Sequence, residues 1–351
     1  MRIAIVNDLT LAREVLRRVV LSVPGYTVAW EAADGEEAIA RAAADRPDAV
    51  LMDLVMPRVN GVEATRAIMR RSPCPIVVVT ATIPGNYELV MQAMGAGALD
   101  AVETPVLSAG GVVQKAEPLL ARLSKLVAAS RGVPGSGYAP AHRQRVMTPN
   151  AADKPMTSKS LNLPPLVLLG SSTGGPEALA TVLGALPATF PAWVLIAQHI
   201  AADFGTGLVS WLGERCKLPV RAAKDGDPPA AGTVQVAVSN DHLELTPDLV
   251  LRYTASPRSW PYRPSADVLF ASAAAVWPRR GLAALLTGMG PDGADGLLRL
   301  KSAGWHTIAQ DEATSVVYGM PKVAAEKGAA VEVLPLPQIG PTLAGRLMAP
   351  R

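Results

Sequence analysis

The stretch Gly170-Ser171-Ser172-Thr173-Gly174 fits the pattern G-x-S-x-G, preceded by an apolar run and followed by a helix-like segment. Small residues let a strand turn sharply into a helix, lifting the Ser172 hydroxyl above the sheet. Amides at the start of the helix then point to where an oxyanion would form, aided by the helix dipole. The chemistry so prepared is nucleophilic acyl transfer. The rival reading is an anion-binding glycine turn. It is weaker, because this turn carries neither G-x-x-x-x-G-K-[ST] nor G-x-G-x-x-G.

A serine nucleophile needs a base, and the chain has 4 histidines. Sites in open α/β sheets form at the carboxyl ends of strands. His199 follows the run WVLIAQ and lies at such an end. His306 precedes its strand TIAQ and falls at the opposite edge, His242 belongs to a β-rich insertion, and His142 to a Pro/Gly-rich stretch. Elimination leaves His199. The third member is a carboxylate: in LAALLTGMGPDGADG, Asp292 comes first out of the strand, with Asp295 a second acid that the local sequence leaves open. Asp267, in RPSADVLF, reads as a first-turn residue of a helix capped by Ser265. The chain order Ser, His, Asp is no objection, since a triad is defined by geometry and roles.

The first half offers different chemistry. Asp8 closes one apolar strand (IAIVND) and Asp53 another (LMDLVMPRVNG). Two carboxylates at adjacent parallel-strand ends make a hard-oxygen Mg²⁺ site, usually completed by a carbonyl and waters.

These residues need elements to hold them. RIAIV, TVAW, AVLMDL, PIVVVT and LDAVE read as buried strands, with helical spacing between them at Leu9, Ala12, Val15, Leu16, Val19 and Val20. Such alternation predicts a parallel sheet covered on both faces, a flavodoxin-like (βα)5 domain. Residues 131–163 lose the periodicity to Pro, Gly, Ser and Ala and read as a linker. LVLLG, WVLIAQ, LPVRAA, LAALLT, HTIAQ and VEVLPL then predict a second, mostly parallel α/β domain. Residues 233–254 hold three β-rich pieces, expected to form a small antiparallel insertion. The expected division is 1–125, a linker over 126–163, and 164–351.

Composition bounds the rest. The 351 residues suffice for two cores, and 49% hydrophobic against 18% charged residues marks a globular chain. A net charge of +3 without a dense basic cluster points away from nucleic acid. Cys74 and Cys216 lack metal-ligand spacing and read as reduced thiols. No apolar run approaches a membrane span and MRIAIVNDL is too short for a signal core, so a soluble, cytoplasmic protein is expected.

The blocks SSTGGPEAL, AQHI, RPSADVLF, LTGMGPDGADGL and TIAQDEATSVVYGMP together resemble the catalytic domain of the chemotaxis-type protein-glutamate methylesterases over 165–345. The resemblance implies Ser172 as nucleophile, His199 as base and Asp292 as orienting acid, with the Thr173 and Met289 amides forming the oxyanion hole. It implies hydrolysis of glutamate methyl esters, and deamidation of glutamines, on the cytoplasmic helices of chemoreceptors, with no cofactor in this domain.

VND, LMDLVMPRVNG and VVVTA resemble a two-component receiver over 1–125. That implies Asp53 as phosphoacceptor, Thr80 as switch hydroxyl, the Val55 carbonyl as a third Mg²⁺ ligand beside Asp8 and Asp53, and a histidine kinase of the chemosensory array as partner. Two positions depart from the pattern: Asn7 replaces the first of two consecutive acids, and Thr104 replaces the Lys before Pro105. Asn removes a charge from the Mg²⁺ site, and Thr cannot neutralise a phosphoryl oxygen. IVND with DAVETP is closer to the methylesterases of Wsp-type surface-sensing systems than to those of flagellar chemotaxis. The order receiver, linker, esterase implies that the unphosphorylated receiver hinders access to the active site. A catalytically silent receiver scaffold is the alternative.

Overall fold

The computed structural model describes residues 1–130 apart from 109 and 111, and 163–348 apart from 259 and 261. Residues 131–162 of the expected linker, with His142, lie outside the described residues. The first domain runs β1 (Arg2–Val6), α1 (Thr10–Leu21), β2 (Thr27–Ala32), α2 (Gly35–Ala44), β3 (Ala49–Met52), α3 (Gly61–Arg71), β4 (Ile76–Thr80), α4 (Tyr87–Gly95), β5 (Asp100–Glu103), the short β6 (Val106–Leu107) and β7 (Val113–Gln114), and α5 (Glu117–Ser130). Strands β1–β5 form one parallel sheet in the order β2-β1-β3-β4-β5. β3 and β4 are buried along their whole length because helices cover both faces. Asp34 and Asn60 cap α2 and α3 by accepting the Glu37 and Glu63 amides. α5 continues past the boundary expected at 125.

The second domain runs β8 (Leu166–Ser171), α6 (Gly175–Gly184), β9 (Trp193–Gln198), α7 (Ala202–Gly213), β10 (Val220–Ala222), β11 (Thr233–Val236), β12 (His242–Leu245), β13 (Leu251–Thr254), α8 (Ala266–Val276), β14 (Leu282–Leu285), α9 (Ala294–Ser302), β15 (His306–Gln310), α10 (Met320–Glu326), β16 (Glu332–Leu334) and α11 (Leu336–Met348). Seven of these strands form a parallel sheet in the order β10-β11-β9-β8-β14-β15-β16. The expectation for 233–254 needs a correction. Its first piece, β11, pairs parallel with β9 and β10, because the buried Val234-Gln235-Val236 run completes the main sheet. Only β12 and β13 pair antiparallel, about a turn at Thr246–Leu249.

The two domains touch along α4. Tyr87 donates its hydroxyl to the Phe204 carbonyl at 2.6 Å, and Glu88 pairs with Arg215 at 2.5 Å. Gly95 lies against Glu177 and Gly97 against Val316, close enough that a Cβ at either would collide. Among the described residues no helix is long and apolar enough to cross a membrane.

Candidate active site

The site grows from three neighbouring strand ends. Ser172 follows the central β8, and its amide donates to the Thr287 carbonyl at 3.0 Å, tying the turn to the end of β14. Gly174, with φ +79°, adopts the left-handed conformation that starts α6. Gly288 lets the β14 loop press in, since a Cβ there would fall 2.7 Å from Ser172 Cβ. Ser172 Oγ has no hydrogen-bond partner among the described residues.

His199 follows β9, and its amide donates to the Ser171 carbonyl at 3.0 Å. Buried Gln198 braces both neighbours: its Nε2 donates to the Ser172 and His199 carbonyls, each at 2.9 Å, while its Oε1 accepts from Ser171 Oγ at 2.6 Å.

The His199 imidazole meets Asp292 through Nε2, 2.7 Å from Oδ2. Asp292 has no exposed surface, and its remaining lone pairs are filled at the start of α8. Oδ2 also accepts from the Ala266 amide at 2.7 Å, and Oδ1 from Ser265 Oγ at 2.6 Å, Trp260 Nε1 at 3.0 Å and the Asp267 amide at 3.3 Å. Burial opposes its charge, but the bonds from His199, Ser265 and Trp260 outweigh burial and hold it below the ordinary carboxylate range. With Nε2 committed to Asp292, Nδ1 is the nitrogen left to take a proton. The Tyr262 ring stacks on this imidazole, with centroids 5.0 Å apart and planes 8° from parallel.

The other sequence candidates fall elsewhere. Asp295 is exposed and pairs with Lys327 at 2.5 Å. His306 opens β15 at the opposite edge of the sheet and lies 3.5 Å from Glu332. His242 lies in β12 but is closer to the site than its place in the insertion suggests, accepting the Ser265 amide at Nδ1, 3.3 Å away. Asp267 sits in the first turn of α8, capped by Ser265. Burial beside Asp292 pushes its carboxyl up to about 7, and its Oδ1 accepts the Gly296 amide at 2.6 Å. Neither the Thr173 amide nor the Met289 amide has a protein acceptor among the described residues. Gln198, Trp260 and Tyr262 were not singled out from sequence; the signal available was a buried-strand Gln beside His199.

Access to this edge runs between the domains. A cavity of about 620 Å³ is lined by Met94, Asp100 and Arg122 from the first domain and by His199, Tyr262 and Arg263 from the second.

In the first domain, Asp53 follows β3 directly and Asp8 lies just past β1. Burial pushes Asp53 up to about 6, against the Leu54 and Val55 amides that bond it, and Asp8 adds to the rise. Asn7 Nδ2 donates to Asp53 Oδ2 at 2.9 Å, and the Leu54 amide to Oδ1 at 2.7 Å. Buried Thr80 ends β4, and its Oγ1 accepts from Asn86 Nδ2 at 2.8 Å. The Thr104 amide donates to the Thr80 carbonyl at 2.9 Å. No Lys or Arg forms an ion pair with Asp53 among the described residues. No group of three or more His, Cys, Asp or Glu side chains is arranged to hold a metal ion there or elsewhere among the described residues. A cation at this point would rest on two carboxylates and backbone or water oxygen.

Residues 167–343 match the family model described as CheB methylesterase, and residues 3–111 that of the response regulator receiver domain. The chain is 50% identical over 343 residues to protein-glutamate methylesterase/protein-glutamine glutaminase 2 of Burkholderia pseudomallei, covering 98% of this chain and 96% of that one. It is 48% identical to the corresponding protein 1 of Bordetella avium, with the same two coverages. Among solved structures, the CheB methylesterase catalytic domain of Thermotoga maritima matches with a TM-score of 0.50 at 35% identity, covering 52% of this chain and 98% of that chain.

Proposed function

We propose a residue-level mechanism for this chain, which belongs to the CheB methylesterase family and carries a response regulator receiver domain. It is a protein-glutamate methylesterase/protein-glutamine glutaminase that hydrolyses methyl esters on chemoreceptors. Ser172 Oγ attacks the ester carbonyl of a methylated glutamate while His199 Nδ1 takes its proton. The Thr173 and Met289 amides hold the tetrahedral oxyanion. The C–O bond to methanol breaks as the imidazolium returns its proton to the leaving oxygen. Water, deprotonated by the same imidazole, then cleaves the glutamyl-Ser172 ester. A glutamine amide would follow the same course with ammonia leaving. Asp292 holds the ring in the tautomer with Nδ1 free and stabilises its charged form. The single observation that carries this reading is the 2.7 Å contact between His199 and buried Asp292, beside the Ser172 turn.

The receiver regulates this site. Asp53 accepts the phosphoryl group from a histidine kinase of the chemosensory array. Asp8, Asp53 and the Val55 carbonyl would hold Mg²⁺, an all-oxygen set that fits a hard cation, and the ion would supply positive charge against the phosphoryl oxygens. Asn7 and Thr104 leave this pocket with less charge on either side than two acids and a Lys would. Without phosphate, α4 stays against α6 and α7 and narrows the way to His199; phosphorylation shifts the pair of domains toward an open state. The receiver core is expected over 1–125 and the esterase over 164–351, with the end of α5 and the residues after it, 126–163, joining them.

Methanol release from a methylated receptor fragment tests the reading, measured with and without a small phosphodonor. Wild-type protein is expected to release methanol, faster with the donor, and Ser172→Ala to release none. Unchanged release by Ser172→Ala refutes the mechanism.

A further inference from the structure

Asp292 grips the imidazole of His199 at one point, and one hydrogen bond leaves a ring free to rock about its N···O line. The nitrogen that must face Ser172, Nδ1, has no protein partner among the described residues. What fixes the plane of the ring is therefore a separate question from what fixes its tautomer.

We propose that Tyr262 is a positioning residue for the esterase reaction, its ring face holding the His199 imidazole in the plane that aims Nδ1 at Ser172. The inference rests on the mechanism proposed above. The two rings are nearly parallel at 8°, with centroids 5.0 Å apart, which is the separation of an offset stack. The Tyr262 ring is itself fixed from two sides. Its hydroxyl abuts Gly290, where φ is +84° and a Cβ would collide with it. Two residues upstream, Trp260 is anchored on Asp292 Oδ1 at 3.0 Å. One loop thus holds the acid through Trp260 and the base through Tyr262, and it rests on Gly290, the residue after the proposed oxyanion donor Met289. Burial and the nearby Asp292 charge push the Tyr262 phenol up, so the ring stays neutral through the reaction.

The stack also changes in strength during turnover. The imidazole becomes cationic as the Ser172 proton arrives, and the electron-rich face of an aromatic ring attracts a cation more than a neutral ring. An interaction that strengthens in the transition state raises kcat and leaves substrate binding alone. The aromatic face does this work, and the hydroxyl is dispensable to it.

The test uses full-length protein and the methanol-release assay on Tyr262→Phe, Tyr262→Leu, Tyr262→Met and Ser172→Ala. Tyr262→Leu and Tyr262→Met are expected to lower kcat about 10- to 100-fold with KM within about twofold, the size of loss that misaimed reacting groups produce. Tyr262→Phe is expected to stay within about threefold of wild type. In NMR spectra, the His199 ring protons should carry the upfield shift of a stacked neighbour in wild type and Tyr262→Phe, and lose it in the non-aromatic variants. Either non-aromatic variant, folded and turning over at the wild-type rate, overturns the proposal, as does equal impairment of Tyr262→Phe. If Ser172→Ala is inactive while Tyr262→Leu or Tyr262→Met matches wild type, this inference fails and the mechanism stands. Methanol release by Ser172→Ala fails the mechanism itself.

Discussion

The Met94 carbonyl of the receiver accepts a hydrogen bond from the Gly174 amide, two residues past Ser172, at 3.2 Å. The receiver therefore touches the Ser172 turn and not merely the outer surface of the esterase. The other end of the same helix, α4, is tied to Thr80, the proposed switch residue. Asn86 donates to Thr80 Oγ1, and its neighbour Tyr87 donates to the Phe204 carbonyl in α7. A Thr80 hydroxyl turned toward a phosphoryl group on Asp53 would release Asn86, and with it the start of α4.

Tyr87→Phe removes the bond to Phe204 across the domains, and with it a longer contact to Met91 Sδ within α4. A partly buried hydrogen bond is worth about 1 kcal/mol, so the closed state should weaken by roughly fivefold. Basal methanol release without phosphodonor is expected to rise by up to that factor, and the further gain from phosphodonor to shrink. Steady-state rates of both proteins with and without the donor check this.

Asp292→Asn keeps the shape of the acid but puts an amide NH₂ among donors from His199, Ser265, Trp260 and the start of α8. At least one donor then faces another donor, and the imidazole loses its preferred tautomer. The expected fall in kcat is about 10³–10⁴-fold, with KM little changed. Single-turnover measurements should place the loss in the acylation step.

Asp267 supplies a pH signature. Its folded pKa of about 7 lies above the ordinary 3.8, so the folded protein binds this proton more tightly than the unfolded chain does. The stability tied to the proton is whole below about pH 4 and is lost as pH rises through about 7. Asp267→Asn keeps an oxygen for the Gly296 amide and carries no charge. Urea midpoints from pH 5 to 8 should fall less in Asp267→Asn than in wild type, and the variant should be the more stable of the two at pH 8.

Asn7→Asp adds a third carboxylate beside Asp8 and Asp53 and deletes the Nδ2 bond to Asp53. Without metal, the added repulsion should lower the thermal midpoint of the receiver transition. With Mg²⁺ the order reverses, because ligand charge raises affinity for a hard cation. Thermal scans over a Mg²⁺ series check both halves, with the variant expected to saturate at lower metal concentration.

Local signals made much of this molecule legible from sequence. Apolar runs ending in Gly, Asp or His marked the strand ends bearing Ser172, His199 and Asp292, and Ser265 two residues before Asp267 marked a helix cap. The choice between Asp292 and Asp295 turned on which left its strand first, Asp267 reading as a helix residue, and in the structure Asp292 meets the imidazole while Asp295 faces Lys327. Long-range packing stayed hidden. Trp260 and Tyr262 come from a Pro-rich loop with no periodicity, and only the folded sheet brings them to His199. β11 looked like one piece of a meander because its composition matches β12; its place in the main sheet depends on pairing with β9, some forty residues earlier. Met94 and Tyr87 carry no local mark of their contacts, since a helix face reveals that it is apolar but not which domain covers it.

Ser172 and His199 each follow directly on adjacent strands of one parallel sheet, so the inter-strand pitch of about 4.8 Å governs how far apart their backbones stand. Asp292 lies well beyond the end of β14 and is placed instead by Ser265, Trp260 and the Ala266 amide. The β12–β13 hairpin is joined to that acid, because His242 of β12 accepts the Ser265 amide and Ser265 donates to Asp292, so a change of hairpin length would be felt at the imidazole.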